Sequence, residues 1–203
     1  MSRTQPALST PVITAPPWRR LRSTVVRVTE WLEVREDRVV RPDGAECVYD
    51  HVVLPGSVTV LAVGDTGTVA VTRQWIYTHA DTQWRLPAGG IESGDRDPCA
   101  AARRELAEET GLTASRWRQL GVIHGADSTT NHRDHVFLAD GLTVGPVHRQ
   151  AGEDDLEVHW LPFDDLLGLV LAGEVRHAGS AYAVLTAQVT GWVAARGRPG
   201  PVS

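Results

Sequence analysis

Between Asp97 and Gly111 the chain carries a helix whose two ends are both marked in the sequence. Asp97 can accept from the free N–H groups of a first turn, Pro98 suits the first helical position, and Gly111 suits the left-handed residue that closes a helix. On that helix Glu105, Glu108 and Glu109 fall within an arc of about 100°. Cys99, Ala102 and Leu106 point to an adjoining apolar side. Three carboxylates on one arc repel each other. A hard cation such as Mg²⁺, which takes oxygen ligands in octahedral geometry, relieves the repulsion. It can then neutralise a diphosphate and activate water. A solvated acidic helix face gives the same pattern, so the carboxylates by themselves leave both readings open.

The segments around this helix alternate between strand and turn patterns. Ser23 to Val34 alternates around Val26, Val28 and Leu32, and Arg41-Pro42-Asp43-Gly44 is a turn signature. Val58 to Val63 and Thr68 to Thr72 are apolar strands joined by Gly64-Asp65-Thr66-Gly67, a hairpin signal. A Gly-rich loop over Leu86 to Asp97 leads into the helix. Further strands are expected near Gln119 to His124, His135 to Leu138 and Glu157 to Leu161, and helices over Phe163 to Ala172 and Ser180 to Ala194. Strands with interspersed helices predict a mixed α/β domain. Residues 1–17, rich in Ser, Thr, Pro and Ala, read as a mobile tail. Residues 18–49 form an N-terminal β-region, 50–195 the main domain, and 196–203 a fraying end.

At 203 residues and 42% hydrophobic the chain can bury a sizeable core. A net charge of −5 argues against nucleic acid and membrane surfaces as partners. All 20 basic residues are Arg, which excludes lysine Schiff bases and a P-loop lysine. Two cysteines, Cys47 and Cys99, build no metal spacing or disulfide framework and fit a reducing cytoplasm. No stretch approaches the ~18 apolar residues of a membrane span, and the N-terminus lacks a signal-type apolar run. The expected location is cytoplasmic.

Leu86-Pro87-Ala88-Gly89-Gly90 and the helix together resemble the Nudix box, G-x5-E-x7-R-E-U-x-E-E-x-G-U, where U is aliphatic. Gly90 opens it, Arg104 and Glu105 form its central pair, Leu106 takes the aliphatic site, Glu108 and Glu109 are the paired acids, and Gly111-Leu112 ends it. One position departs: Arg96 stands where the motif has Glu. The Arg-Pro-Asp-Gly turn, Arg73-Gln74-Trp75-Ile76-Tyr77, Leu86-Pro87-Ala88-Gly89 and Gly173-Glu174-Val175 are similar to the ADP-ribose pyrophosphatase branch, over roughly Trp18 to Ala187.

The resemblance implies an α/β/α sandwich with a mixed sheet, and a homodimer formed through the N-terminal β-region. The implied activity is metal-dependent hydrolysis of a nucleoside diphosphate linked to a sugar, ADP-ribose first. The alternatives are another nucleotide sugar, a nucleoside triphosphate, or a regulatory module that binds without turnover. The implied metal is Mg²⁺, with Mn²⁺ as substitute. Glu105 and Glu109 are its implied main ligands, supported by Glu108 and the Ala88 carbonyl. Arg104 either orients the carboxylates or is a surface partner of Glu108. Arg96 pairs with Glu92 or Asp95, touches a phosphate, or marks weakened activity. The general base is expected in the acidic loop Gly152-Glu153-Asp154-Asp155, Glu153 before Asp154. Substrate contacts are expected from Arg73, Trp75, Arg85, Asn131 and His132. Arg85 stands where relatives often have Glu, and Asn131-His132 where they often have a Glu. Trp75, Tyr77 and Trp84 can stack a base or pack in the core. A transition-metal pair of His132 and His135 is the less favoured reading of that loop.

Overall fold

The computed structural model describes residues 17–146 and 155–192. They fall into two compact units, divided between Val53 and Leu54. The first is an antiparallel three-stranded sheet of β1 (Arg19–Val28), β2 (Glu33–Val40) and β3 (Glu46–Val53), in spatial order β1-β2-β3. The alternating stretch Ser23 to Val34 is therefore not one strand. Thr29 breaks it, its Oγ1 accepting from the N–H groups of Trp31 at 3.2 Å and Leu32 at 3.1 Å. A Thr side chain that satisfies the backbone two and three residues on gives the chain an alternative to the ladder. The Arg41-to-Gly44 turn is as expected: Arg41 N–H donates to the Ala45 carbonyl at 2.9 Å, and Gly44 has φ of 86°.

The second unit is built on β4 (Ser57–Val63), β5 (Thr68–Ile76), β6 (Asp81–Arg85), β7 (Ala88–Gly90), β8 (Leu112–Ile123), β9 (Asp134–Val144) and β10 (Glu157–Pro162). The main path runs β10-β5-β4-β9-β8, with β6 on β5 and β7 on β4. Among the described residues only β4 and β9 run parallel, so the sheet is mixed. Helix α1 (Pro98–Thr110) covers one face; α2 (Phe163–Leu171) and α3 (Ala178–Val189) cover the other. This is an α/β/α sandwich. The alternation of β4 explains the layering, since successive side chains take opposite faces. Val58, Val60 and Ala62 meet Ala101, Ala102 and Leu106 of α1. Leu61 and Val63 join Leu166, Ala183 and Val184 of the opposite helices.

One irregularity opens the site. Strands β4 and β5 pair only at Ala62 with Ala70 and Val63 with Val69. Beyond that they part, β6 continuing on β5 and β7 on β4. The segment expected as a loop from Leu86 therefore contains a short strand, and it crosses the gap between the parted strands. Strands β8 and β9 are longer than their apolar cores suggested, because their Cα register pairs Leu112 with Val144 through to Ile123 with Asp134. The polar positions in between are held by the ladder rather than by hydrophobic pattern.

Candidate active site

Helix α1 begins and ends where its sequence says. The Asp97 side chain accepts from Ala100 N–H at 2.7 Å, and Gly111 closes it at φ 70°. Its core face is Ala101, Ala102 and Leu106, all fully buried. The face beside it points to β7 and carries Glu105 and Glu109, each only 5% exposed. Burial this deep excludes the solvated-face reading for these two, since ionised carboxylates are not left unpaired away from water. Glu109 Oε2 accepts from the Ala88 N–H at 3.1 Å. Gly89 lies against the Glu105 carboxylate so closely that a Cβ there would overlap it. That contact explains the glycine in Leu-Pro-Ala-Gly: any other side chain would displace Glu105.

Arg104 makes the contacts of both its readings. Its Nη1 donates to Glu105 Oε1 at 2.8 Å and to Glu108 Oε2 at 2.9 Å. Its Nη2 donates to the Gly90 carbonyl at 2.8 Å and to Asp95 Oδ2 at 3.0 Å, and Nε reaches Asp95 Oδ1 at 3.3 Å. Glu92 Oε1 is 3.4 Å away. One planar guanidinium thus ties the helix to the loop before it, using the forked donors that only arginine has. Burial works against its charge, but the hydrogen bonds it donates to Asp95, Glu105 and Glu108, and the charge of Glu105, outweigh that and raise its pKa. The same Arg104 bond, against the opposing effect of burial, holds the Asp95 carboxyl below its usual range. Asp95 is a site residue that the sequence reading did not single out as Arg104's partner. Arg96, by contrast, turns outward, 81% exposed at its side chain, and pairs with Asp97 at 3.2 Å rather than with Glu92 or Asp95.

Glu108 is half-buried and engaged with Arg104. Among the described residues no three His, Cys, Asp or Glu side chains converge as they would around one ion. What does fit a hard cation is narrower than the three-carboxylate set: two buried glutamates facing the Ala88-Gly89 turn, with oxygen donors throughout.

The substrate candidates lie on β5, on β6 and in the loop before β9. Arg73 on β5 stands over the Trp84 ring at 5.7 Å and 3.9 Å from Glu157. Trp84 itself meets His159 edge-on, a packing role. Trp75 is 50% and Tyr77 89% exposed; the Trp75 N–H donates to Asp155 Oδ2 at 2.9 Å. Asn131 Oδ1 accepts from Leu54 N–H at 2.8 Å, and the residue lines a cavity with Gly56, Ile91, Arg133 and His135. His132 is half-buried, at the end of the loop before β9. Glu153 and Asp154 lie outside the described residues.

Arg85 ends β6, where the chain turns toward β7. Burial lowers its pKa, while the charges of Glu109 and Asp134 sustain the cation. Behind it lies a polar cluster that the motif did not reveal. Thr59 Oγ1 donates to Asp134 Oδ2 at 2.8 Å, Leu86 N–H donates to Ser180 Oγ at 2.9 Å, and Ser180 Oγ meets His177 Nδ1 at 2.9 Å. Burial, then the charges of Arg85 and His132, push the His177 pKa down to about 3, so it is neutral at physiological pH. Each of these residues reads in sequence as an ordinary polar position; the signal lies only in the crossing of β4, β9 and the α3 N-terminus.

The NUDIX domain model matches residues 53–183. The chain belongs to the Nudix family. It is 31% identical over 167 residues to an ADP-ribose pyrophosphatase of Mycobacterium tuberculosis, covering 82% of this chain and 81% of that protein. It is 34% identical over 154 residues to an ADP-ribose pyrophosphatase of Bacillus subtilis, covering 75% and 83%. A CMP-5'-(N-acetyl-N-hydroxy-3-aminopropyl)phosphonate hydrolase of Streptomyces rubellomurinus is 27% identical over 185 residues, covering 90% of this chain and 87% of its own. Among solved structures, an ADP compounds hydrolase superposes with a TM-score of 0.78 over 92% of this chain and 99% of that one, at 19% identity, which supports the fold. Nudix hydrolases are in general dependent on a divalent metal, and Glu105, Glu109 and the Ala88 turn could hold one.

Proposed function

We propose that this Nudix chain hydrolyses the pyrophosphate bond of a nucleoside diphosphate linked to a sugar, with ADP-ribose as the first substrate and AMP and ribose 5-phosphate as products. The observation that carries the reading is the pair of buried carboxylates, Glu105 and Glu109, set against the Ala88-Gly89 turn. Similarity to two ADP-ribose pyrophosphatases supports the substrate. Mg²⁺, or Mn²⁺ in its place, would be held by Glu105, Glu109 and the Ala88 carbonyl. When bound, the metal stabilises the negative charge that develops on the diphosphate.

The chain's own residues do the rest. Arg104 holds Glu105 and Glu108 in place and keeps the Gly90–Asp95 loop closed on the helix. Gly89 leaves Glu105 its space. Arg85 offers a cation to a phosphate oxygen, and Arg73, Asn131 and His132 are further contacts for the substrate. Trp75 offers an exposed aromatic face to the base, since a ring half in water gains by stacking. Glu153, with Asp154 as second choice, takes the proton of the attacking water.

The same proposal includes a homodimer. Strand β1 is an edge strand, exposed over its whole length, and carries Leu21, Val25, Val26 and Val28 outward. Unpaired apolar edges of this kind are rarely left in water, and pairing with a second copy covers them. A panel of nucleotide sugars and nucleoside triphosphates with Mg²⁺ or Mn²⁺, read as phosphate after phosphatase coupling, tests the substrate reading. Preference for a triphosphate would refute it.

A further inference from the structure

Three consecutive residues, Leu86, Pro87 and Ala88, carry the chain from β6 into β7, and a different element holds each of them. The Leu86 N–H donates to Ser180 Oγ of α3 at 2.9 Å. The Pro87 carbonyl accepts from the Val60 N–H of β4 at 2.8 Å. The Ala88 N–H donates to Glu109 Oε2 of α1 at 3.1 Å. Helices α3 and α1 lie on opposite faces of the sheet. Across two residues of backbone, a hydroxyl on one face is therefore tied to a carboxylate on the other.

The tie at Leu86 is a buried one. Leu86 is 1% and Ser180 0% exposed. Strand β6 has ended at Arg85 and β7 has not begun, so a side chain supplies the acceptor that a backbone N–H sealed from water requires. Ser180 is itself held. Its Oγ meets His177 Nδ1 at 2.9 Å. The Leu86 N–H can only donate, so Oγ accepts there and has its own proton to give to Nδ1. A neutral imidazole has the lone pair to take it, and burial keeps His177 neutral.

The turn that carries Ser180 is also packed without slack. A Cβ at Gly179 would overlap the Thr59 hydroxyl and Asp134 Oδ2. Thr59 is the residue of β4 whose Cα partner across the ladder is Ala88. One turn of α3 thus presses on the ladder partner of Ala88 and, one residue on, holds the N–H two residues before Ala88. Both contacts bear on where Ala88 sits against Glu109.

We infer that Ser180 is a positioning residue: held by His177, it takes the Leu86 N–H and sets, from the far face of the sheet, how the Ala88 turn meets Glu109. Ser180 touches neither metal nor substrate. The inference rests on the reading of Glu105, Glu109 and the Ala88 turn as the metal group. Small cations such as Mg²⁺ demand near-ideal ligand geometry, so a turn free to shift would weaken them. Removing a partner that orients a metal ligand costs about 10–100-fold in affinity. Ser180 acts one step further back, through the backbone, which puts its effect at the lower end.

The test measures Mn²⁺ binding to the full chain without nucleotide, by paramagnetic resonance of the free ion. Ser180→Ala removes the acceptor, and Ser180→Cys keeps the shape with a poor acceptor. Both should weaken Mn²⁺ about tenfold. Both should raise the Mn²⁺ concentration for half-maximal ADP-ribose hydrolysis in proportion, with turnover at saturating Mn²⁺ within about threefold of wild type. Val184→Ala, one turn along α3 in the core, controls for stability. It should lower resistance to urea in EDTA at least as much as Ser180→Ala, yet leave Mn²⁺ binding within about twofold. Should Ser180→Ala fail to fold by circular dichroism, the isosteric Ser180→Cys carries the test. Unchanged Mn²⁺ binding in the Ser180 variants, or equal weakening in Val184→Ala, overturns the inference. Mn²⁺ binding that persists in Glu109→Gln, or none in the wild type, overturns the metal reading and the inference with it. Weakened Mn²⁺ in the Ser180 variants of a chain that cleaves no ADP-ribose overturns the proposed substrate and leaves the role of Ser180 standing.

Discussion

Replacing Arg104 by Ala removes a single side chain and takes one donor from three carboxylates and a carbonyl. The guanidinium serves Glu105 at 2.8 Å, Glu108 at 2.9 Å, Gly90 O at 2.8 Å and Asp95 at 3.0 Å. The Glu105 and Asp95 side chains are 7% and 8% exposed, so water cannot replace what is lost. Charge-assisted hydrogen bonds contribute about 1.5–3 kcal/mol each, and they do not add when one group makes them all. Breaking a buried pair by deleting one partner costs about 3–5 kcal/mol, and that is the loss expected here. Urea unfolding at neutral pH in EDTA measures it. Adding Mg²⁺ should recover part of the loss in Arg104→Ala, because a cation bound to the folded state stabilises it by mass action. Arg104→Lys should recover little, since a point charge cannot reach four acceptors in one plane. A loss below about 1 kcal/mol, the size of an exposed i,i+4 pair, would refute the tie between helix and loop.

Three further outcomes follow from the same geometry. Arg96→Glu should raise kcat/KM less than about tenfold, equivalent to ~1.4 kcal/mol, because the side chain faces outward onto Asp97; gain of turnover from none would contradict this. His177 makes folding acid-labile. Below about pH 6.5 the unfolded imidazole takes up a proton that the folded one refuses until about pH 3. Its contribution is therefore present above pH 6.5 and lost as pH falls, by about 1.4 kcal/mol per unit. His177→Gln should flatten the decline between pH 6.5 and 4.5 by about 2–3 kcal/mol in urea unfolding; parallel curves would show that the imidazole is not held neutral. Light scattering at micromolar concentration should give twice the 22.1 kDa chain mass, and a monomer would exclude pairing through β1.

The catalytic helix was legible in sequence because its information is local. Asp97, Pro98 and Gly111 set its ends, and i, i+3, i+4 spacing sets the shared face of Glu105, Glu108 and Glu109. The division of labour on that face was not legible. Spacing cannot say that Glu105 and Glu109 turn inward to Ala88 while Glu108 turns to Arg104, because the decision belongs to β7, which pairs with β4 across the sheet. Asn131 shows the same limit. Nothing in its polar loop foretells that its Oδ1 accepts from Leu54, 77 residues away. The break at Thr29 was missed because the apolar alternation runs through it, and a side-chain-stabilised turn leaves no mark in hydrophobicity. Asp134 lay furthest from view. Its surroundings are Thr59, Gly179 and the segment after Arg85, three places that only the parallel pairing of β4 with β9 and the docking of α3 bring together.

The most direct test of the central claim is ADP-ribose turnover by the wild-type chain and by Glu109→Gln, each with Mg²⁺ and with EDTA. Glu109 is buried against Ala88 N–H, and the amide keeps its shape while removing its charge. The account predicts AMP and ribose 5-phosphate from the wild type with Mg²⁺, none in EDTA, and a turnover lower by orders of magnitude in a normally folded Glu109→Gln. Full wild-type activity in EDTA, or undiminished turnover in Glu109→Gln, would contradict it.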